Sequence, residues 1–313
     1  MKTMDILCAT DDCFAPYCGI MLTSLFENNK NHQCRVFIIV SQPLKRKNTR
    51  RFTKLGKTYG QQLSFIIIDD SFLHEFPKLR NSLVTYYRLF AEGLLPKSIN
   101  KVLYLDADII VNTDLFQLWD IDLTDQAIAV VEEIDSRVKR HPEELHYPME
   151  SGYFNAGVIL MNLDYWRKNG VSQQCLSFLE NRYNTFMFHD QDVLNAVLWD
   201  KKIALPLSYN FLSFYLEKSI YNKENPKGQE AILEASNAPC IIHFAGSLKP
   251  WATMYYRKPF YRVWKSYQKK SPWPIILPTL PKRKPLNWAI KRYLLWPIGL
   301  MKDNTEYIIS DNK

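Results

Sequence analysis

Short runs of apolar residues, separated by polar or helical stretches, recur along the first 250 positions of the chain. Several runs are apolar at nearly every position, which is typical of strands covered on both faces. They lie at residues 6–10, 36–40, 63–68, 101–111, 127–131, 158–163 and 240–244. Apolar residues at helical spacing predict helices between them, at residues 17–29, 43–60, 85–95, 164–183 and 191–199.

Strands that alternate with helices in this way predict an α/β fold, with an open, mostly parallel sheet flanked by helices. Ligands of such sheets bind beyond the carboxyl ends of the strands. Three polar features stand at or near predicted strand ends, and one site built from all three is the economical interpretation. They are the pair Asp11-Asp12, the triplet Asp106-Ala107-Asp108, and His243.

The triplet Asp106-Ala107-Asp108 interrupts an apolar run that resumes at residues 109–111. Carboxylates two positions apart leave the same face of a strand and can converge on one hard cation. Burial makes two unpaired anions costly, so a cation or a proton is needed to compensate them. Mn²⁺ or Mg²⁺ suits carboxylate and phosphate oxygens. Helix capping or a solvated loop is the alternative, but the apolar runs on both sides favour a metal site.

His243 could supply a third metal ligand through an imidazole nitrogen. A single histidine in a strand is also commonly a core residue with satisfied hydrogen bonds. Its context, H-F-A-G-S-L-K-P-W, adds two candidates for donor binding. Gly246 permits close approach of the backbone, and Lys249 offers a point charge for a phosphate.

Other polar residues near the predicted strand ends have two interpretations each. Asp11 and Asp12 could accept hydrogen bonds from a nucleobase or a ribose, or they could cap the following helix. Arg88 could pair with a carboxylate or a diphosphate, or it could lie solvated on a helix surface. A sugar pocket could be lined by Asn155, Gly157, Asp190, Gln191 and Asp192, among which spacing alone chooses no catalytic member. The two aspartates could instead stabilise the start of a helix.

The formal net charge of +8 is distributed unevenly. Residues 252–313 contain 13 Lys and Arg against 3 Asp and Glu, so the first 251 residues carry a net charge of only −2. This basic segment also holds Trp264, Trp273, Trp288 and Trp296. Tryptophan beside Lys and Arg suits an anionic membrane surface, while an extension packed on the main domain is the alternative. No RNA motif is present, so nucleic acid is not an expected partner.

The cysteines indicate where the protein works. The six cysteines form no C-x-x-C pair, and several lie in apolar runs as free buried thiols, which fits a reducing compartment. The first residues show no signal peptide, and no stretch reaches the ~18 apolar residues of a membrane span. We expect a cytoplasmic protein, peripheral on the inner face of the cell membrane.

Four motifs in order, L-Y-L-D-A-D, Y-F-N-A-G-V-I-L-M-N, H-D-Q-D-V-L-N and H-F-A-G-S-L-K-P-W, make the chain resemble glycosyltransferase family 8. This family includes the retaining lipopolysaccharide galactosyl- and glucosyltransferases of bacteria. The resemblance spans residues 4–251 and implies a GT-A fold, Mn²⁺, UDP-galactose or UDP-glucose as donor, and a saccharide or glycolipid acceptor. Residues 1–251 then form the transferase domain, and residues 252–313 form a basic, Trp- and Pro-rich extension.

The resemblance also implies roles for particular positions. The family's metal ligands match Asp106, Asp108 and His243. Its donor-binding positions match Ala9, Asp11, Asp12, Arg88, Ala107, Gly246 and Lys249, and its donor-sugar pocket matches Asn155, Asp190 and Gln191. Glu133 matches a position near the acceptor. Gln191 is expected to position or stabilise the sugar while the acceptor attacks the same face of the sugar that UDP leaves. A double displacement through Asp190 is the alternative.

Two other functions use the same residues. A phosphohydrolase of the haloacid-dehalogenase type also places D-x-D after a strand, and it would use Asp106 as nucleophile. A catalytically silent sugar-binding protein would keep all four motifs. Both rank below the transferase, and only turnover separates the transferase from the silent binding protein.

Overall fold

Seven strands form a central sheet in the computed structural model, which describes residues 2–77, 82–182, 188–246, 249–252, 258–276 and 306–308. Three further strands form a second, small sheet. In chain order, the strands of both sheets are β1 (Thr3–Ala9), β2 (Gln33–Val40), β3 (Gln62–Ile67), β4 (Lys101–Leu105), β5 (Ile109–Val111), β6 (Ile128–Glu132), β7 (Phe154–Asn162), β8 (Lys202–Ala204), β9 (Phe211–Leu212) and β10 (Ile241–His243). The large sheet has the order β3-β2-β1-β4-β7-β6-β8, and a small sheet has the order β5-β10-β9.

The large sheet is mostly parallel, which confirms the predicted fold class. β3, β2, β1 and β4 run parallel to one another, and β6 runs parallel to β8. β7 is the exception, since it lies antiparallel between β4 and β6. The carboxyl ends of β1 and β4 therefore meet at one edge of the sheet, where a ligand site is expected.

Helices cover both faces of the large sheet, which explains why its inner strands are apolar throughout. One face packs against a core that includes Phe26 and Phe52, and the other against a core that includes Trp166 and Leu194. The helices are α1 (Ala15–Asn28), α2 (Arg46–Tyr59), α3 (Ala91–Leu94), α4 (Phe116–Trp119), α5 (His141–Glu144), α6 (Leu163–Asn169), α7 (Val171–Arg182), α8 (Asp190–Leu198), α9 (Lys218–Tyr221), α10 (Pro226–Asn237) and α11 (Tyr261–Lys270). Short 3₁₀ helices include Val84–Phe90 and Leu207–Asn210.

Two predicted elements differ from the structure. The single helix predicted for residues 164–183 is wrong: α6 ends at Asn169 and α7 begins at Val171. Gly170 between them has a φ of +60°, which glycine favours and which stops a helix. The apolar run at residues 101–111 is two strands in different sheets, because the chain turns at Asp106–Asp108 between β4 and β5. The apolar pattern of a segment predicts a strand but does not show with which other strands it pairs.

The beginning of the basic extension packs on the domain. Trp273 is 1% exposed and lies against α1 and α2: a Cβ added to Gly19 would be 2.0 Å from its ring, and the Phe52 ring centroid is 4.9 Å away. Trp264 is also buried, next to Trp251. The interpretation of these two tryptophans as membrane-interface residues is therefore wrong, because their rings face the protein core.

The rest of the extension includes Trp288, Trp296 and the cluster Lys282-Arg283-Lys284, which lie outside the described residues. Among the helices that the structure describes, none combines the length and apolar character that a membrane crossing requires.

Candidate metal and donor-binding site

Asp106 and Asp108 lie where the chain leaves the large sheet and enters the small one. β5 pairs with β10 in a register that sets Ile109 opposite His243, so the imidazole lies beside the carboxylates. His243 Nε2 is 3.3 Å from Asp108 Oδ1 and 3.9 Å from Asp106 Oδ2. One ligand atom from each of these three residues lies within 4.8 Å of the other two. Two carboxylate oxygens and one imidazole nitrogen form a donor set that fits Mn²⁺ or Mg²⁺.

Hydrogen bonds around His243 determine which ring nitrogen faces the carboxylates. Asn155 Oδ1 accepts from the Gly157 backbone N–H at 3.0 Å and from Asn210 Nδ2 at 2.9 Å. The Asn210 amide is thereby oriented with its oxygen toward His243, and Oδ1 lies 2.9 Å from Nδ1. Nδ1 must then carry the proton, which leaves Nε2 as the nitrogen that can bind a metal.

Gly157, in the middle of β7, supports both sides of this cluster. Its carbonyl oxygen accepts a hydrogen bond from the Asp106 backbone N–H at 2.9 Å. A Cβ at this position would lie 2.3 Å from Cε1 and 2.7 Å from Nδ1 of His243. Only glycine therefore lets the imidazole ring take its observed place against the strand.

Each carboxylate of the pair has a cation of its own. Arg88 Nη2 donates to Asp106 Oδ1 at 2.7 Å, and the Tyr104 hydroxyl donates to the same oxygen at 2.9 Å. Lys249 donates to Asp108 Oδ2 and to the Phe244 carbonyl oxygen. Burial raises the pKa of Asp108, but Lys249 and His243 beside it outweigh burial and hold this pKa well below its usual value. Asp108 is therefore ionised, as a metal ligand must be.

Arg88 also binds Asp190, the first residue of α8, through a contact of 3.0 Å between Nε and Oδ2. Both side chains are buried, so the alternative of a solvated surface arginine is wrong. Burial raises the pKa of Asp190 to about 6, since the nearby Arg88 offsets the loss of solvation only in part. Arg88 thus links the metal-ligand cluster to the start of α8.

The amide of Gln191 is held by protein groups on both sides. Its Oε1 accepts from the Ala156 backbone N–H at 3.0 Å and from Asn155 Nδ2 at 3.1 Å. Its Nε2 donates to Glu133 Oε1 at 3.0 Å, and Asn155 Nδ2 donates to the same oxygen at 2.9 Å. Burial raises the pKa of Glu133 despite these two donors. Gln191, Asn155 and Glu133 therefore form one hydrogen-bonded group that reaches His243 through Asn210.

Asp11 and Asp12 follow β1 and bind the backbone near the starts of two helices. Asp11 Oδ1 accepts from the Phe14 N–H at 2.8 Å, just before α1. The Asp12 carboxylate accepts from the Lys45 N–H at 2.9 and 3.1 Å, at the N-terminus of α2. Neither residue is the N-cap of its helix, since Phe14 and Lys45 take those positions, so the two carboxylates bind the chain just before each helix begins. Contact of either residue with a nucleobase or ribose stays a prediction.

The remaining donor-binding candidates lie along the same edge. Ala9 is the last residue of β1, Ala107 stands between the two metal-ligand candidates, and Gly246 is three residues beyond the end of β10. The structure thus brings Asp106, Asp108 and His243 together, as expected, and sets the pair Asp11-Asp12 just beyond the end of the neighbouring strand β1. Contacts of any of these residues with a donor stay a prediction.

Sequence reasoning missed Asn210 and Tyr104. Tyr104 is two residues before Asp106, and the Arg88 guanidinium lies 4.3 Å from its ring centroid; strand periodicity would have placed it on the same face as Asp106. Asn210 ends a short 3₁₀ helix and meets His243 only through the pairing of β9 with β10. No local signal identifies it.

Comparison with known proteins gives consistent matches. The sequence pattern described as glycosyl transferase family 8 covers residues 5–254. General stress protein A of Bacillus subtilis (strain 168) is 26% identical over 254 residues, which are 80% of this chain and 88% of that protein. The lipopolysaccharide 1,2-glucosyltransferase of Escherichia coli (strain K12) is 28% identical over 259 residues, which are 82% of this chain and 74% of that protein.

Solved structures agree on the fold. LgtC, described as a galactosyltransferase in complex with donor and acceptor sugar analogues, superposes with a TM-score of 0.73 at 23% identity, over 92% of this chain and 100% of that one. An active-site glutamine-to-glutamate mutant of LgtC gives a TM-score of 0.75 at 22% identity, over 91% and 99% of the two chains. With its α/β sheet, its strand-end site and the family pattern along residues 5–254, the chain belongs to glycosyl transferase family 8 and is a glycosyltransferase with the GT-A fold.

Proposed function

We propose that this chain is a retaining transferase that moves galactose or glucose from a UDP-sugar to a hydroxyl of a lipopolysaccharide or another cell-surface glycan. The observation that carries the proposal is the cluster of Asp106, Asp108 and His243, joined through Asn210 and Asn155 to Gln191. The named relatives, a lipopolysaccharide glucosyltransferase and a galactosyltransferase, support both hexoses and a glycan acceptor.

Asp106, Asp108 and His243 would hold Mn²⁺ or Mg²⁺ against the donor diphosphate. When bound, the metal stabilises the negative charge that develops on the departing UDP. Lys249 and Arg88 supply further positive charge at the same edge, while Asp11 and Asp12 stand at the carboxyl end of β1, where we assign the uridine. These assignments follow the positions of the side chains around the cluster.

Gln191 and Asp190 adjoin the cluster and are assigned to the donor sugar. The Gln191 amide is oriented by Ala156, Asn155 and Glu133, so it can present a fixed dipole to the sugar without reorganising. A glutamine is a poor nucleophile, which favours attack of the acceptor on the face that the leaving group vacates. In the alternative double displacement, Asp190 would form a covalent hexose adduct.

Conversion of Asp106 to Asn tests the metal role. We expect Asp106→Asn to abolish transfer, because one ligand charge is lost, while the mutant keeps the wild-type circular dichroism spectrum. Metal-dependent turnover at the wild-type rate would refute the proposal. Release of UDP from UDP-glucose and from UDP-galactose, each with Mn²⁺, would identify the hexose. Hydrolysis of generic phosphate esters would instead point to a phosphohydrolase, and donor binding without turnover to a silent sugar-binding protein.

The sugar chemistry has its own test. Intact-protein mass spectrometry of the enzyme with donor and no acceptor is expected to show no hexose adduct, since the proposed attack is direct. Gln191→Ala is expected to lower turnover more than donor affinity. An adduct that disappears in Asp190→Asn would establish double displacement and overturn direct attack on the face that UDP leaves.

We also assign the protein to the inner face of the cell membrane, where a glycolipid acceptor would be reached. The basic segment of residues 277–305 and the free cysteines support this assignment.

A further inference from the structure

The second helix, α2, carries an unusual concentration of positive charge. Residues 41–60 contain seven Lys and Arg and no Asp or Glu. This charge belongs to the main body of the protein, whose first 251 residues carry a net charge of −2 even with these seven cations included. The helix has no part in the metal or sugar cluster described above.

The basic side chains of α2 lie on its outer face. Phe52 and Leu55 are buried and attach the inner face to the sheet. With about 100° of rotation per residue, five basic residues form a stripe opposite these two. They are Arg46, Lys47, Arg50, Lys54 and Lys57, all exposed. None of the five forms an ion pair with another described residue, so the stripe is an uncompensated positive surface, which we call the α2 basic face.

Exposed apolar side chains flank the α2 basic face on two sides. On one side is the edge strand β3, where Phe65 is 36% and Ile67 is 60% exposed; the Phe65 ring touches Phe52 at a centroid distance of 5.7 Å. On the other side is Trp273, whose buried ring also contacts Phe52. Two residues later the chain reaches the surface at Ile275, which is 80% exposed. Cations bordered by exposed apolar residues are the composition of a membrane-interface surface.

We propose that the α2 basic face, with Phe65, Ile67 and Ile275 at its borders, docks on an anionic lipid bilayer. The cations complement acidic head groups, and the apolar borders can enter the head-group region. A nucleic acid would be attracted by the cations but would gain nothing from exposed Ile67 and Ile275. The inference does not depend on the tail beyond residue 276 or on the proposed transfer reaction.

Docking through α2 would set the orientation of the catalytic edge. The N-terminus of α2 is tied to that edge, because the Lys45 N–H donates to Asp12 at the end of β1. Membrane bound to the α2 basic face would therefore reach the edge at which the metal and sugar residues lie. A lipid-linked acceptor could approach the site from the same surface.

Co-sedimentation with vesicles tests the inference. The full chain is incubated, without donor, with phosphatidylcholine vesicles that contain or lack phosphatidylglycerol. We expect binding to the anionic vesicles only. The variant Arg46→Gln/Arg50→Gln/Lys54→Gln/Lys57→Gln should bind at least tenfold more weakly, since each cation near an anionic surface strengthens binding by about fivefold. Binding at the wild-type level would overturn the proposal.

A matched control separates the α2 basic face from net charge. Lys97→Gln/Lys168→Gln/Lys223→Gln/Lys227→Gln removes four exposed charges elsewhere on the protein and should bind like wild type; an equal loss would overturn the proposal. A second variant, Ile67→Ser/Ile275→Ser, should also bind anionic vesicles more weakly. Binding to duplex DNA that exceeds vesicle binding and ignores the serine changes would assign the surface to nucleic acid. Transfer to a soluble acceptor should be the same in all variants, so failure of the transferase proposal is seen separately.

Discussion

Asn210 accepts a hydrogen bond from His243, with 2.9 Å between Oδ1 and Nδ1. The contact joins a short 3₁₀ helix to the end of β10 and directs Nε2 of the imidazole toward Asp106 and Asp108. Groups that orient a ligating histidine in this way commonly matter for metal affinity as much as for geometry.

Asn210→Leu is expected to weaken Mn²⁺ binding about 10- to 100-fold, because the imidazole loses the acceptor that fixes its tautomer and orientation. The measurement is Mn²⁺ binding by electron paramagnetic resonance, with the Mn²⁺ dependence of turnover beside it. Asn210→Asp keeps an oxygen acceptor for Nδ1–H and should retain most of the affinity. Equal Mn²⁺ affinity in wild type and Asn210→Leu would show that His243 needs no such support.

Gly157→Ala is expected to displace His243, because the new Cβ would lie 2.3 Å from Cε1 of the ring. A shift of about 1 Å at a reacting site can lower turnover about 100-fold, and overpacking costs about 1–3 kcal/mol of stability. Gly93→Ala is the control, since an added Cβ there meets nothing within 4 Å. Steady-state rates and thermal unfolding of both variants decide the matter; a fully active Gly157→Ala enzyme would contradict the structure.

Arg88→Met is expected to lower the free energy of unfolding by about 3–5 kcal/mol, because it leaves buried carboxylates without their cation. The carboxylates are those of Asp106 and Asp190. Urea unfolding in the presence of a chelator measures the effect. Arg140→Met removes an exposed ion pair with Glu143 at 3.6 Å and should change the stability by no more than about 1 kcal/mol. Similar losses of unfolding free energy in Arg88→Met and Arg140→Met would show that the buried ion pairs of Arg88 stabilise the fold no more than an exposed pair does.

Glu27 gives a pH-dependent prediction. Its hydrogen bonds with Lys270 of α11 and Tyr59 of α2 lower its pKa below the usual 4.5. A carboxylate with a lowered folded-state pKa stabilises the fold above its unfolded pKa, and this contribution is lost as the pH falls through the folded pKa. Wild type should therefore exceed Glu27→Gln in unfolding free energy at pH 7, by up to about 1 kcal/mol because the pair is partly exposed.

The difference between wild type and Glu27→Gln should shrink below pH 4.5, as the carboxylate becomes protonated. Urea unfolding at pH 7 and at successively lower pH values measures it. The difference in unfolding free energy between wild type and Lys270→Gln should shrink over the same pH range, since this change removes the partner of Glu27. If the difference in unfolding free energy between wild type and Glu27→Gln instead grew toward acid pH, the pKa of Glu27 would not be lowered in the folded protein.

The sequence predicted six of the seven strands of the large sheet, the fold class and the meeting of Asp106, Asp108 and His243, because each depends on a local pattern and on the rule that strand ends share an edge. It missed β8, a strand of only three residues. The burial of Arg88 and the role of Asn210 could not be predicted. Arg88 pairs with Asp106 and Asp190, which are 18 and 102 positions away, and Asn210 meets His243 through strand pairing. Such contacts depend on register between distant segments, on which periodicity is silent.

The break at Gly170 could have been predicted, since a glycine inside a helical run commonly ends it. The roles assigned to Asp11, Asp12 and Lys249 are different: the structure gives each a protein partner, and their donor contacts stay predictions until a complex is measured.

Trp273 makes the first part of the basic extension a piece of the catalytic domain's own core. A shortened protein that stops near Trp251, where the family motifs end, would leave a hole beside Gly19 and uncover Phe52. Removal of a buried tryptophan costs about 3–5 kcal/mol, a large fraction of the about 5–15 kcal/mol that holds most domains folded. Inactivity of such a fragment would therefore report unfolding, and a stop codon meant to isolate the tail belongs after Ile276.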